Sequence, residues 1–148
     1  MKHRIIFIQL FLRLTIATAC LSAVADRFGL WGIYGIKYVD WGNWLNFLKY
    51  ANSVNSYAGK GLGNVLAIIA TLLEIVMPLL LLVGYKIEIA SIASGILMLL
   101  FASAMTYSFG IKPSLNYSVW TSAAACFALT SFSQYFFCLD NLLKNKFK

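Results

Sequence analysis

The chain has 148 residues, 61% of them hydrophobic and 11% charged, with a net charge of +7. A water-soluble domain is nearer half apolar and a quarter charged, so this composition excludes an ordinary soluble fold. The basic residues form no stripe interleaved with aromatics, so nucleic acid is not an expected partner; several stand at the ends of apolar runs, as topology signals do.

The N-terminal run MKHRIIFIQLFLRLTIATACLSAVADR reads in two ways. Its basic start, apolar stretch and small residues before Cys20 resemble a secretory or lipoprotein signal. Against cleavage, Arg13 interrupts the apolar stretch and Ala17 stands where a lipobox prefers Leu, so a retained span over 5–25 is the preferred reading.

Residues 26–61 form a long external loop. Gly29, Gly32 and Gly35 lie among aromatics, and Asp40 is placed to cap a helix over 41–56. There Trp44, Phe47, Leu48, Ala51 and Val54 recur at helical spacing, with Asn43, Asn46, Lys49, Asn52 and Asn55 on the remaining surface. With Trp31, Trp41 and Trp44 this predicts a helix in the membrane interface or a lid over the spans. A packed aromatic loop without a binding role is the plain alternative.

The second span, 62–84, holds one acid near its middle, Glu74, followed four residues later by Pro78. A carboxylate at that depth costs about 2.5–3.5 kcal/mol on insertion scales. Gly84, Tyr85 and Lys86 make a tight turn into a third span, 87–109. Gly110-Ile111-Lys112-Pro113 breaks the helix, because the residue before proline is disfavoured in the α region. A fourth span, 117–137, precedes a basic tail of Lys144, Lys146 and Lys148. The expected fold is an all-α membrane protein, one domain over 1–148. Four transmembrane helices form a bundle, with an amphipathic interfacial helix in the first external loop.

Lys2, Arg4, Lys86 and the tail lysines stand in short segments on one side. Arg27, Lys37, Lys49, Lys60 and Lys112 are spread through longer segments on the other. The denser set predicts both termini in the cytoplasm.

Arg13 is a second charge at membrane depth. It lies roughly 12 Å inside the start of span one, and Glu74 roughly 14 Å inside the same side of span two. Pairing the two would offset most of the cost of burying either. Gln9, Ala17 and Cys20 share a stripe with Arg13; Gly63, Ala67, Ala70, Thr71 and Pro78 share one with Glu74. Ser91, Gly95, Ala102 and Thr106 on span three, and Ser118, Thr121, Ser122 and Ala125 on span four, predict close helix packing. Pro78 lacks an N–H and frees the Glu74 carbonyl, which Arg13 or a buried water would satisfy. The candidate ligand or proton site is therefore Arg13 and Glu74, supported by Gln9, Thr71 and Pro78. The competing reading makes the Arg13–Glu74 pair polar glue that sets helix register.

Cys20, Cys126 and Cys138 are far apart in sequence and form no C-x-x-C; His3 is the only histidine. No metal site, bis-histidine haem or recognisable cofactor motif is encoded.

The Leu-Arg of span one, the Asp-Arg-Phe-Gly that follows it and the Trp/Asn-rich loop helix come in order. After them come the intramembrane Glu, a Leu-rich run closed by Gly and a basic turn, and Lys-Pro-Ser-Leu-Asn-Tyr-Ser before span four. In this order they resemble the DoxX family of small four-helix bacterial membrane proteins. Arg13, Glu74, Gly84 and Lys86 match the family pattern; Pro78 departs from it. The resemblance implies a multi-pass protein of the bacterial inner membrane, associated with redox systems and membrane or periplasmic redox partners. The expected role is an accessory subunit rather than a stand-alone oxidoreductase, with a quinone or other apolar ligand at the buried Arg–Glu site. A small proton-coupled transporter and a ligand-free structural protein are the alternatives.

Overall fold

The computed structural model describes residues 2–141; the tail residues Lys144, Lys146 and Lys148 lie outside the described residues. No strand occurs among the described residues. The helices run α1 (Lys2–Arg27), α2 (Trp44–Val54), α3 (Lys60–Val83), α4 (Ile87–Phe109), α5 (Ile111–Asn116) and α6 (Val119–Thr130). α1, α3 and α4 are each long and apolar enough to cross a membrane.

Helix ends follow local chemistry. α3 stops at Gly84, whose left-handed backbone (φ 75°, ψ 40°) turns its N–H onto the Leu80 carbonyl. A side chain there would also collide: a Cβ would come within 2.6 Å of Cys138 Cα and 2.7 Å of an Arg13 nitrogen. The cap of α2 is Asn43, not Asp40 as expected, and its side chain accepts the Asn46 N–H at 2.9 Å. Asp40 is engaged elsewhere, because its own N–H bonds to the Asp26 carboxylate at 2.9 Å.

The fourth expected span needs correction. Residues 117–137 do not form one helix; α6 has 12 residues, a length of about 18 Å against a hydrocarbon core of about 30 Å. Beyond it the chain is irregular as far as Cys138. The hydroxyls of Thr130 and Ser131 turn back onto the carbonyls of Phe127 and Ala128, both at 2.7 Å, so local side-chain bonding competes with helix continuation.

α1 packs on α3, α3 on α4, and α4 most closely on α6, with a smaller contact between α1 and α6. Gly95 explains the closeness of α4 and α6, since a Cβ there would sit 2.8 Å from the Phe127 ring. The predicted faces of the first three spans point inward: Gln9, Arg13, Ala17 and Cys20; Gly63, Ala67, Ala70, Thr71, Glu74 and Pro78; Ser91, Gly95 and Ala102 are all buried, and Thr106 is half-buried. On α6 the buried face is instead Val119, Ala123, Cys126 and Leu129. The small residues Ser118, Thr121, Ser122 and Ala125, expected to pack against a neighbour, line open space beside α1. α2 turns Phe47, Ala51 and Val54 inward, with Phe47 and Ala51 packed around Ala67 of α3. All three cysteines are free thiols and buried.

Candidate functional site

Burial of a charge is tolerated only where something nearby compensates for it. Glu74 is 4% exposed, and its compensating cation is Arg27, with Nη2 of Arg27 at 2.5 Å from Oε2 of Glu74. The contact is a direct ion pair between two buried groups. Nη1 of Arg27 donates to Thr71 Oγ1 at 2.7 Å, and the Thr71 hydroxyl donates in turn to the Ala67 carbonyl at 2.8 Å. The guanidinium carbon lies 4.1 Å from the Phe47 ring centre and 5.5 Å from that of Trp41, so aromatic faces cover the cation from the α2 side.

The expected Arg13–Glu74 pair is therefore corrected. Among the described residues Arg13 reaches no carboxylate; Nε donates to the Leu81 carbonyl at 2.8 Å, Nη2 to Leu82 at 3.2 Å, and Nη1 to Phe136 and Phe137 at 2.9 and 3.2 Å. Leu81 and Leu82 belong to the last turn of α3, where helix carbonyls have no intrahelical partner and the dipole is negative. That turn lies roughly 10 Å along the axis from Glu74. Depth counted from sequence ends was too coarse by two turns, enough to exchange one partner for another.

Gln9 stands with Arg13, not with Glu74. Its amide donates to the Gln134 carbonyl, and its Oε1 accepts the Phe136 N–H at 3.2 Å. These two side chains supply partners to the irregular backbone after α6. Thr71 does stand at the Glu74 site, through Arg27. Pro78 is buried within an unbroken α3, but among the described residues no side chain donates to the carbonyl it frees, and it does not line the cavity below.

The residue missed in sequence is Arg27, with Asp26 beside it. Asp26 is buried, and its carboxylate collects the N–H groups of Asp40, Trp41 and Gly42 at 2.9, 3.4 and 3.1 Å. Adjacent residues thus do separate work: Asp26 holds the loop down, and Arg27 turns under it to Glu74. The signal was present, because Arg27 follows Arg13 and Cys20 at seven-residue steps.

Arg27 and Glu74 line a cavity of about 1370 Å³ that opens between α1 and α6. Cys20, Met98, Phe101 and Cys126 are among its apolar walls, and Tyr50 adds a phenol. Burial and the neighbouring Tyr117 and Asp40 push the Tyr50 phenol up to about 12, so it stays a neutral donor at neutral pH. Among the described residues, Arg27 Nε has no hydrogen-bond partner, and the Glu74 carboxylate has acceptor capacity beyond its contact with Arg27 Nη2. The arrangement offers an apolar chamber with a donor and an acceptor at one end. No His/Cys/Asp/Glu group among the described residues has the clustering a metal needs. No protein-family model, curated protein or solved structure matches the chain.

Proposed function

We propose that this protein is a DoxX-like accessory subunit of a bacterial inner-membrane redox system. In this reading it holds a quinone or a similarly apolar ligand between α1 and α6. α6 with residues 131–138 completes a fourth crossing, α2 lies across the bundle at the interface, and both termini face the cytoplasm. The observation that carries the proposal is a single one. An apolar cavity large enough for a ring with part of its tail ends at a buried Arg27–Glu74 pair with hydrogen-bonding capacity to spare. A quinone head group has carbonyls to accept from a guanidinium, and its reduced form has hydroxyls to donate to a carboxylate. With no cofactor motif in the chain, electrons would be carried by the ligand and a partner protein, so the protein's part is to bind and orient.

Purification in mild detergent followed by lipid extraction tests this. Wild-type protein is expected to retain quinone together with a redox partner. Ala23→Trp, which fills the cavity beside α6, should retain at least about ten-fold less, equivalent to about 1.4 kcal/mol. If the wild type carries neither quinone nor a redox partner, the proposal fails. The same carboxylate also fits a proton-coupled transporter, since Glu74 lines an open cavity. That reading requires proton release on substrate addition that Glu74→Gln abolishes.

A further inference from the structure

The loop between α1 and α2 carries an apolar surface that none of the foregoing uses. Tyr38 is 87% exposed, Leu30 77% and Ile33 72%, with Trp31, Tyr34 and Ile36 also exposed. Six large apolar side chains within nine residues form a concentration that a water-facing loop rarely carries. From Phe28 to Val39 the charge inventory is a single cation, Lys37, and no acid.

Both ends of this segment are tied to one place. The Leu30 N–H bonds the Ala25 carbonyl at 2.9 Å, which folds the chain back over the end of α1. At the far end, Asp40 and Gly42 are held by the Asp26 carboxylate. Between these anchors the loop does not rise away from the helices. The Trp31 indole donates to the Ser22 carbonyl at 3.0 Å. Ser22 precedes the end of α1 by five residues, so Trp31 sits roughly 7 Å below that end, alongside the helix.

We infer that residues 28–38 are a membrane-inserted anchor, lying in the interface and outer hydrocarbon of the leaflet on the Arg27 side. α1 is long and apolar enough to cross the bilayer, and a loop whose Trp31 indole is bonded beside Ser22 of that helix shares its surroundings. The helix itself exposes large apolar residues, such as Leu14 and Phe11. Trp and Tyr suit the headgroup boundary, where an apolar ring meets water at one edge. Lys37 supplies the expected cation: its ammonium lies 4.8 Å from the Tyr38 ring centre, and its long stem lets it reach lipid phosphates. Trp31, Lys37 and Tyr38 also border the cavity, so the anchored loop forms part of its wall at the membrane surface. The amphipathic role expected of the α2 segment thus falls to the loop before it, because α2 spends its apolar face on the helices beneath.

The occupant of this surface is lipid, and depth-dependent quenching tests that. Ile33→Cys is labelled with the environment-sensitive fluorophore NBD and reconstituted in vesicles of phosphatidylcholine and phosphatidylglycerol. Unmodified protein, whose thiols are buried, controls for background labelling. Lipids bearing a nitroxide high on the acyl chain are expected to reduce emission at least about two-fold, and aqueous iodide to have little effect. Quenching by iodide alone would show a water-exposed loop; quenching by neither would show cover by a second copy or another protein. Either overturns the inference. Should the labelled variant fail to fold, brominated lipids can be applied to wild type and Trp31→Phe. The wild type must show an additional quenched component, and equal quenching of the two would likewise overturn the inference.

Discussion

Two buried arginines on one face of α1 solve the same electrostatic problem in different ways. Arg13 is surrounded by four backbone carbonyls, two from the last turn of α3 and two from the irregular segment after α6. Arg27 meets a carboxylate, a hydroxyl and two aromatic faces. Carbonyls spread over a helix end disperse the charge of Arg13 and lock three chain segments together. At Arg27 the compensation is a single titratable partner beside a cavity. An arginine bound to carbonyls is a joint. One bound to a lone carboxylate in an open chamber is a place where a ligand can compete.

The largest effect should come from breaking the Arg27 arrangement. Arg27→Met leaves Glu74 buried without its cation and is expected to cost about 3–5 kcal/mol, read from thermal unfolding in micelles. A double-mutant cycle with Glu74→Gln should give a coupling of about 0.5–3 kcal/mol. The corresponding cycle of Arg13 and Glu74 should be additive to within about 0.5 kcal/mol, because the two share no partner. Coupling between Arg13 and Glu74 in place of Arg27 and Glu74 would overturn the comparison.

Much of this was legible from residue order. Period and composition identify the inward stripes of α1, α3 and α4, since each apolar helix must turn its small and polar residues toward protein. What they do not supply is the rise of one helix relative to its neighbour. An error of one or two turns leaves every face correct while moving Glu74 from Arg27 to Arg13. Hydropathy ends a span at its first charges, which removed Asp26 and Arg27 from α1 although their helix continues through them. The shortness of α6 was hidden for a related reason: Phe132 and residues 135–138 are as apolar as a helix would be. Only the presence of Gln9 and Arg13 as backbone partners explains how an irregular stretch is satisfied there.

The joint at Arg13 should respond to geometry more than to charge. Arg13→Lys keeps the cation but replaces a planar fork with a point ammonium of three donors, which cannot serve both α3 and residues 136–137 in the same arrangement. A loss of about 1.5–3 kcal/mol is expected, the worth of a charged hydrogen bond or two. On the proposed function the cavity is then expected to keep its ligand, and quinone content per folded protein to stay unchanged. By contrast, Glu74→Gln should change quinone content even where it folds. If Arg13→Lys empties the cavity while Glu74→Gln does not, the assignment of joint and site is reversed.

The smallest expected effect concerns pH and again separates the two ends. Asp40, in the loop over Arg27, has its carboxyl held above the usual range by partial burial and by the neighbouring Asp26. A raised carboxyl binds its proton more readily in the folded chain than in the unfolded one. Folding is therefore favoured as pH falls through the folded value, and Asp40 opposes it once ionised at neutral pH. Asp40→Asn should remove this dependence and stabilise the protein slightly at pH 7, by less than about 1 kcal/mol because solvent screens an exposed charge. Hydrogen exchange at the amides of 40–42 reads the change locally. The set at 134–137, where Gln9 accepts the Phe136 N–H and Gln9 and Arg13 donate to the carbonyls of 134, 136 and 137, should not respond to the substitution. Equal responses at both sets would mean that the loop over Arg27 and the joint at Arg13 open as one unit.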